Sequence, residues 1–172
     1  MIDKEFENRI DNLTRTIGDL KRKPPLADHQ HNGFDATRVE FGDIEFKKVW
    51  VHHTIVGTAA ATAANYGVFY IVPFACTLTA FKEVHQTAGT DAGAVTLDLE
   101  KLTGTQALDA GAVMLASTLS LKATINSVQT ATLTNTLTNR NLVAGDRLAL
   151  KDAGTLTAVA NVTVMVELQI KI

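Results

Sequence analysis

The sequence has almost no cysteine, which excludes two common ways of stabilising a small protein. Cys76 is the only cysteine among 172 residues, so one chain can form no internal disulfide and no zinc site built from several cysteines. No apolar run approaches the roughly 20 residues that a membrane-spanning helix needs. The 16 basic and 18 acidic side chains nearly balance, which argues against a strongly basic nucleic-acid-binding surface. We therefore expect neither a membrane nor a nucleic acid as a partner.

Charged and aromatic residues are both scarce in the later part of the chain. Residues 1–50 hold 19 of the 34 charged side chains, and no aromatic residue follows Phe81. The remainder is built largely from small and aliphatic residues and threonine. We divide the chain into a helical stalk at 1–23, an extended linker with the first strands at 24–56, and an antiparallel β body at 57–172.

The N-terminal segment has the hydrophobic spacing of a coiled coil. Its apolar residues follow one another at intervals of four, three, four and three and are Phe6, Ile10, Leu13, Ile17 and Leu20. A helix this short is marginal in water on its own, so the pattern predicts that these residues mediate association. The alternative is a single amphipathic helix that packs on its own body. The Ile/Leu pattern by itself favours two strands.

Two prolines end this helix and precede the most distinctive stretch of the sequence, Asp-His-Gln-His-Asn-Gly-Phe-Asp at 28–35. In an extended segment, His29 and His31 point to the same face. Two imidazoles make a weak metal site, whereas three chains around a threefold axis supply six, enough for an octahedral transition-metal ion. The alternative is a turn at Asn32 and Gly33 whose histidines hydrogen-bond to protein groups.

The body consists of short strand patterns separated by turn signals. Residues 162–172 alternate apolar and polar side chains and give the clearest strand, and residues 95–100 alternate in the same way. The string Asp-Ala-Gly-Ala-Val occurs at 91–95 and at 109–113. The repetition indicates that the same kind of turn leads into a strand at both places. The apolar run 68–74 predicts a buried strand. These patterns favour a mainly β fold, an antiparallel β-sandwich or jelly roll.

The sequence offers little to catalysis. It contains no Gly-rich phosphate loop and neither a Gly-x-Ser-x-Gly nor a His-Glu-x-x-His pattern. Cys76 has no basic neighbour in sequence and is predicted to be a core thiol. Asp98 and Glu100 share a strand face, as the two carboxylates of a glycosidase do, but we interpret them as part of a solvated polar face. We predict that the chain is not an enzyme.

Two functional classes remain, a structural module on a helical stalk and a sugar-binding module, since jelly rolls include lectin domains. Sugar sites need exposed aromatic rings, and few aromatic residues are available. Tyr66 in the Ala-rich loop, with Asn65 beside it, is the favoured candidate for ligand binding. Trp50 and Tyr70 are less favoured candidates.

Three stretches of the sequence resemble proteins of tailed bacteriophages. The string His-Gln-His-Asn-Gly at 29–33, a few residues after a short coiled coil, resembles segments of phage fibre and decoration proteins. Residues 87–105 and 142–151 resemble a β-sandwich module of phage virion proteins. The resemblance implies a homotrimer whose N-terminal helices form a stalk or bind capsid or tail proteins, and whose β domains project outward.

This resemblance also implies a location and a cofactor. The location is the virion, where the chain is a non-enzymatic head fibre or capsid decoration protein. The alternative is a receptor-binding short tail fibre, or a lectin-like adhesin module, that takes a host surface glycan. In such fibres, His-x-His pairs from three chains hold an iron or similar ion on the axis. His29 and His31 match that spacing, which implies one transition-metal ion per trimer.

Overall fold

A computed structural model describes residues 4, 9, 11–13 and 47–171. The chain divides into two compact units, Met1–Asp43 and Ile44–Ile172. In the first unit, the described residues are helical. Several residues that carry the sequence predictions for this unit lie outside the described residues: Phe6, Ile10, Ile17, Leu20, His29 and His31. Within the described ranges, no helix is long and apolar enough to cross a membrane.

The second unit is mainly β, as predicted. Its strands are β1 (Lys48–Ile55), β2 (Val68–Ile71), β3 (Cys76–Thr87), β4 (Thr96–Leu102), β5 (Ala112–Val113), β6 (Leu119–Ser120), β7 (Gln129–Thr130), β8 (Asn141–Leu142), β9 (Arg147–Ala153) and β10 (Ala160–Ile170). Short helical turns lie at Gly57–Ala61, Ala63–Asn65 and Leu137–Arg140. β1 belongs to this unit, which begins at Ile44.

The strands form two antiparallel sheets. In sheet I the order is β1-β10-β3-β7, and β8 also pairs with β3. In sheet II the order is β2-β9-β4-β5, and β6 also pairs with β4. Buried side chains from both sheets belong to one hydrophobic cluster, which is how two sheets with one apolar face each exclude water. The predicted antiparallel two-sheet body is confirmed.

β10 is the central long strand of sheet I, and its sequence pattern explains its place. Four alternate side chains are fully buried: Val162, Val164, Val166 and Leu168. The residues between them point to the outer face, as the two-residue period of a strand requires. Burial of one such side chain contributes about 1.5–3 kcal/mol, so this one strand supplies a large share of the core. The predicted strand is confirmed over residues 162–170, whereas Lys171 follows the strand and Ile172 lies outside the described residues.

β3 contains a β-bulge that changes which of its side chains face the core. Its pairing with β10 shifts between Glu167 and Leu168, which oppose Ala80 and Leu78, so that Thr79 is the extra residue. Cys76 and Leu78 are buried before the shift, and alternate residues from Phe81 to His85 are buried after it. An extra residue in one strand reverses the inward set beyond it.

The apolar run 68–74 is not a buried strand, and that prediction is wrong. Only Val68–Ile71 forms a strand, and β2 lies at the edge of sheet II, with Val68 and Ile71 exposed. Pro73 lacks the backbone N–H that a further ladder bond would need. A continuous apolar run does not distinguish a central strand from an edge strand, because it lacks the alternation that marks one solvated face.

The outer face of β4 is covered at Glu100, which corrects the expectation of a solvated face there. Glu100 is buried because segment 103–111 folds back over this strand. Its carboxylate accepts backbone hydrogen bonds from Asp109 at 2.9 Å and Gly111 at 3.0 Å. The second copy of the Asp-Ala-Gly-Ala-Val string, at 109–113, begins at Asp109, which Glu100 holds, and continues into β5. The first copy leads directly into β4, so both copies join a turn to a strand.

Two glycines with nearly the same positive φ allow a steric test of this packing. Gly145 has φ +91° and Gly154 has φ +89°. A Cβ on Gly145 meets open space, whereas one on Gly154 overlaps the carbonyl oxygen of Ala94. We expect Gly145→Ala to cost about 1–2 kcal/mol for the left-handed conformation alone. Gly154→Ala should cost clearly more, measured by urea unfolding. Equal losses would contradict the close approach of the two segments.

Candidate functional sites

A buried pair of ionisable side chains lies on the inner face of sheet I. Glu83 and His85 follow the bulge of β3, and neither side chain is exposed. Glu83 Oε1 lies 2.9 Å from His85 Nδ1, and His85 Nε2 lies 3.2 Å from the carbonyl oxygen of Ala123. The amide of Gln129 donates to Glu83 Oε2 at 2.6 Å and to the Ser120 carbonyl at 2.8 Å. The pair therefore connects β3 to β7 and to segment 120–123.

The hydrogen bonds determine how many protons the pair holds. A carbonyl oxygen only accepts, so His85 Nε2 carries a hydrogen toward Ala123. One further proton must lie between Nδ1 and Glu83 Oε1, either on the ring or on the carboxyl group. In both forms the pair as a whole is neutral, which is the form that costs least in a low-dielectric interior.

The chemistry of this pair is structural. A carboxylate that orients a histidine is also part of hydrolytic triads. Here, however, the second ring nitrogen is occupied by Ala123, and the pair is sealed from solvent. The pair therefore acts as an internal crosslink.

The outer face of sheet I carries the second polar grouping, which we call the Trp50 cluster (Lys48, Trp50, Thr79 and Glu167). Trp50 and Glu167 are directly opposed on β1 and β10. Glu167 Oε2 accepts the indole N–H at 3.1 Å, and Oε1 accepts from Lys48 Nζ at 2.9 Å and Thr79 Oγ1 at 2.8 Å. Three donors thus converge on one carboxylate.

These contacts fix both the charge and the geometry of the cluster. The hydrogen bonds from Lys48 and Thr79 lower the pKa of Glu167, which keeps its carboxylate ionised at neutral pH. The positive charge of Lys48 offsets it, so the cluster has no excess charge. The indole N–H is tied to the carboxylate while 49% of Trp50 stays exposed. The cluster therefore holds an aromatic ring in one orientation at the surface.

A shallow groove continues the same outer face beyond Glu167. Its volume is about 220 Å³. Its lining is mostly apolar and includes the outward-facing residues Lys82, Val84, Val128, Thr163 and Met165. Met165 is two residues from Glu167 on β10, so both lie on one face of the strand. The outer face of sheet I thus combines a fixed aromatic ring with a neighbouring depression.

The structure corrects the predicted position of the favoured aromatic residue. Tyr66 is only 4% exposed, and its ring belongs to the core cluster, so its interpretation as an exposed platform is wrong. The helical turns at Gly57–Ala61 and Ala63–Asn65 shape the predicted loop, and Tyr66 packs inward directly after them. Asn65 is exposed, and a binding role for it stays a prediction. Among the described aromatic residues, Trp50 alone is prominently exposed.

The remaining candidate residues have structural positions or lie outside the described part of the chain. Cys76 is a free, fully buried thiol whose pKa burial raises to about 11, which confirms the predicted core cysteine. Among residues 4, 9, 11–13 and 47–171, no three histidine, cysteine or acidic side chains group as metal ligands. His29 and His31 belong to the undescribed segment, so the metal stays a prediction.

Comparison with known proteins adds no relative: no family model, no curated protein and no solved structure matches this chain. The functional argument therefore depends on the chain's own residues. In the described part of the chain, the argument uses the buried Glu83–His85 pair and the exposed Trp50 cluster.

The buried pair predicts a pH dependence of stability. Burial raises the pKa of Glu83, and the hydrogen bonds from His85 and Gln129 offset this only in part. The folded chain therefore keeps a proton that the unfolded carboxyl, with a pKa of about 4.3, has released. This contribution is fully present below that value and is lost as the pH rises through the folded pKa. Stability should therefore fall over the range that begins near the unfolded value and ends above the folded pKa of Glu83.

Glu83→Gln is the test of this dependence, because its amide can donate to His85 Nδ1 and accept from Gln129, as the protonated acid does. We expect the variant to lose less stability than the wild type over this range, measured as urea midpoints. Glu167→Gln is the matched control, because a lowered pKa leaves that group ionised throughout the range. The same pH slope in wild type and Glu83→Gln would contradict the assigned role of the pair.

Proposed function

We propose that the chain is a non-enzymatic structural component of a bacteriophage virion. In this proposal it is a homotrimeric head fibre or capsid decoration protein. It attaches to capsid or tail proteins through its N-terminal region and projects the β unit outward. The proposal combines the sequence resemblance with the way in which the β unit uses its buried polar groups.

The observation that carries the proposal is the structural use of buried ionisable side chains. Glu83 and His85 crosslink β3 to β7 and to segment 120–123. Glu100 holds segment 103–111 against β4. Each of these groups is hydrogen-bonded within the body, which favours a rigid and durable domain. Rigidity of this kind suits a particle component that must keep its shape after assembly.

The first unit supports association. Leu13 is helical and 63% exposed, although it belongs to the predicted coiled-coil seam. Its described helical neighbours Asp11 and Asn12 are polar. Contact of an exposed apolar side chain with water is unfavourable. A second and third copy of the predicted seam would bury Leu13.

Oligomeric state tests this proposal. We expect the full chain to have three times its mass of 18.5 kDa by light scattering. Ile10→Asp combined with Ile17→Asp should yield monomers, because two charges would enter the seam of every helix. Asn8→Asp combined with Arg15→Asp is the matched control, since both positions lie on the opposite side of the heptad and the mass should stay unchanged. A wild-type chain that remains monomeric would contradict the proposal.

Metal analysis on the same peak tests the histidine pair separately. One ion per three chains, lost in His29→Ala with His31→Ala, is the result expected for a site on the threefold axis. A metal-free trimer would contradict the metal site and leave the fibre proposal in place.

A second candidate function, a receptor-binding tail fibre or lectin-like module, is favoured by one specific observation. The Trp50 cluster presents the exposed aromatic ring that such a function requires, at a position other than the predicted Tyr66.

A further inference from the structure

The indole of Trp50 has the properties of a stacking platform. Almost half of the residue is exposed, and its N–H is bound by Glu167, so the ring does not lose orientational freedom when a ligand arrives. A side chain that is ordered before binding reduces the entropic cost of association. The ring lies on β1, which follows the regular register of β10 from Lys48 to Ile55, so the surface around it is an even strand face.

A polar rim accompanies this apolar ring. The Glu167 carboxylate has two acceptor oxygens, and Oε2 receives only the indole N–H among the described contacts, which leaves lone-pair capacity for another donor. Lys48 offers further ammonium hydrogens beside it. An apolar plane next to a carboxylate acceptor and an ammonium donor matches a pyranose ring, which has an apolar C–H face and a rim of hydroxyls.

We propose that the Trp50 cluster is a binding site for a neutral pyranose residue of a surface glycan. The sugar stacks its C–H face on Trp50, donates a hydroxyl to Glu167 Oε2 and accepts from Lys48 Nζ. This inference rests on the second proposed function and names its site and ligand class. Because Lys48 and Glu167 neutralise each other, the cluster gives no electrostatic advantage to a charged sugar, and a neutral one is expected.

The chain is suited to a direct test, because Trp50 is its only tryptophan and intrinsic fluorescence reports on this site alone. The full chain is titrated with the methyl glycosides of glucose, galactose, mannose, N-acetylglucosamine and N-acetylgalactosamine. Concentrations extend to about 10 mM, at which a dissociation constant of about 1 mM is readily detected. We expect at least one glycoside to shift the emission to shorter wavelength and to protect the ring from acrylamide quenching.

Variants assign the effect to the cluster. By calorimetry with the glycoside that binds, Trp50→Ala should weaken binding by more than about tenfold, and Glu167→Gln should weaken it severalfold. Ile71→Ala removes an exposed apolar side chain from the edge of sheet II and should leave binding unchanged. Circular dichroism and urea midpoints establish that each variant is folded.

Three results would overturn the inference. The first is the absence of any fluorescence change with every glycoside. The second is binding that persists in Trp50→Ala, which would keep a sugar-binding function but move it to another surface. The third is a smaller oligomer in Trp50→Ala by light scattering, which would make the cluster an interface between copies. The trimer mass of the wild type is measured independently, so failure here and failure of the structural proposal are distinguishable.

Discussion

The bulge at Thr79 places the buried polar pair in the core and contributes one donor to the Trp50 cluster. One extra residue in β3, opposite the step from Glu167 to Leu168 in β10, reverses the inward set of side chains. On the inner face it brings Glu83 and His85 into the core. On the outer face it places the Thr79 hydroxyl 2.8 Å from the Glu167 carboxylate. Without the extra residue, Lys82 and Val84 would face the core, and the buried crosslink would not exist.

Two ionisable groups in a core are costly unless their hydrogen bonds are complete, so the presence of Glu83 and His85 there requires an explanation. β7 is two residues long, and its hydrogen-bond ladder with β3 is correspondingly short. A short strand specifies its register weakly. The hydrogen bond from Gln129 to Glu83 helps to fix the register of β7 on β3. If β7 slipped by one residue, the buried carboxyl group of Glu83 would lose this donor. We infer that the polar pair fixes the pairing of β3 and β7 more than it adds to net stability.

The sequence was informative where burial alternates and uninformative where chain segments fold over one another. β10 and the Leu97 to Leu99 part of β4 were predictable because every second side chain is apolar. The bulge was not, because one strand's sequence does not show how many residues oppose it. The burial of Glu100 depends on segment 103–111. The two residues of this segment that bond to Glu100, Asp109 and Gly111, follow it by nine and eleven positions. The sequence does not reveal the burial of Tyr66, because a loop residue can pack inward, and it offers Trp50 only as one of several aromatic candidates.

The two sheets differ in how their outer faces are used, and this difference bears on function. On sheet II, Glu100 and Arg147 hold segment 103–111 by hydrogen bonds. The guanidinium of Arg147 donates to the carbonyls of Gly104 and Gln106 at 3.0 and 2.8 Å. On sheet I, the exposed indole of Trp50 is held by Glu167, whose carboxylate also accepts from Lys48 and Thr79. A surface that the chain covers with its own loop contributes to the stability of the fold and is not open to a ligand. On sheet I, a carboxylate that is itself held by two further donors fixes an exposed aromatic ring, so this is the surface on which we propose recognition.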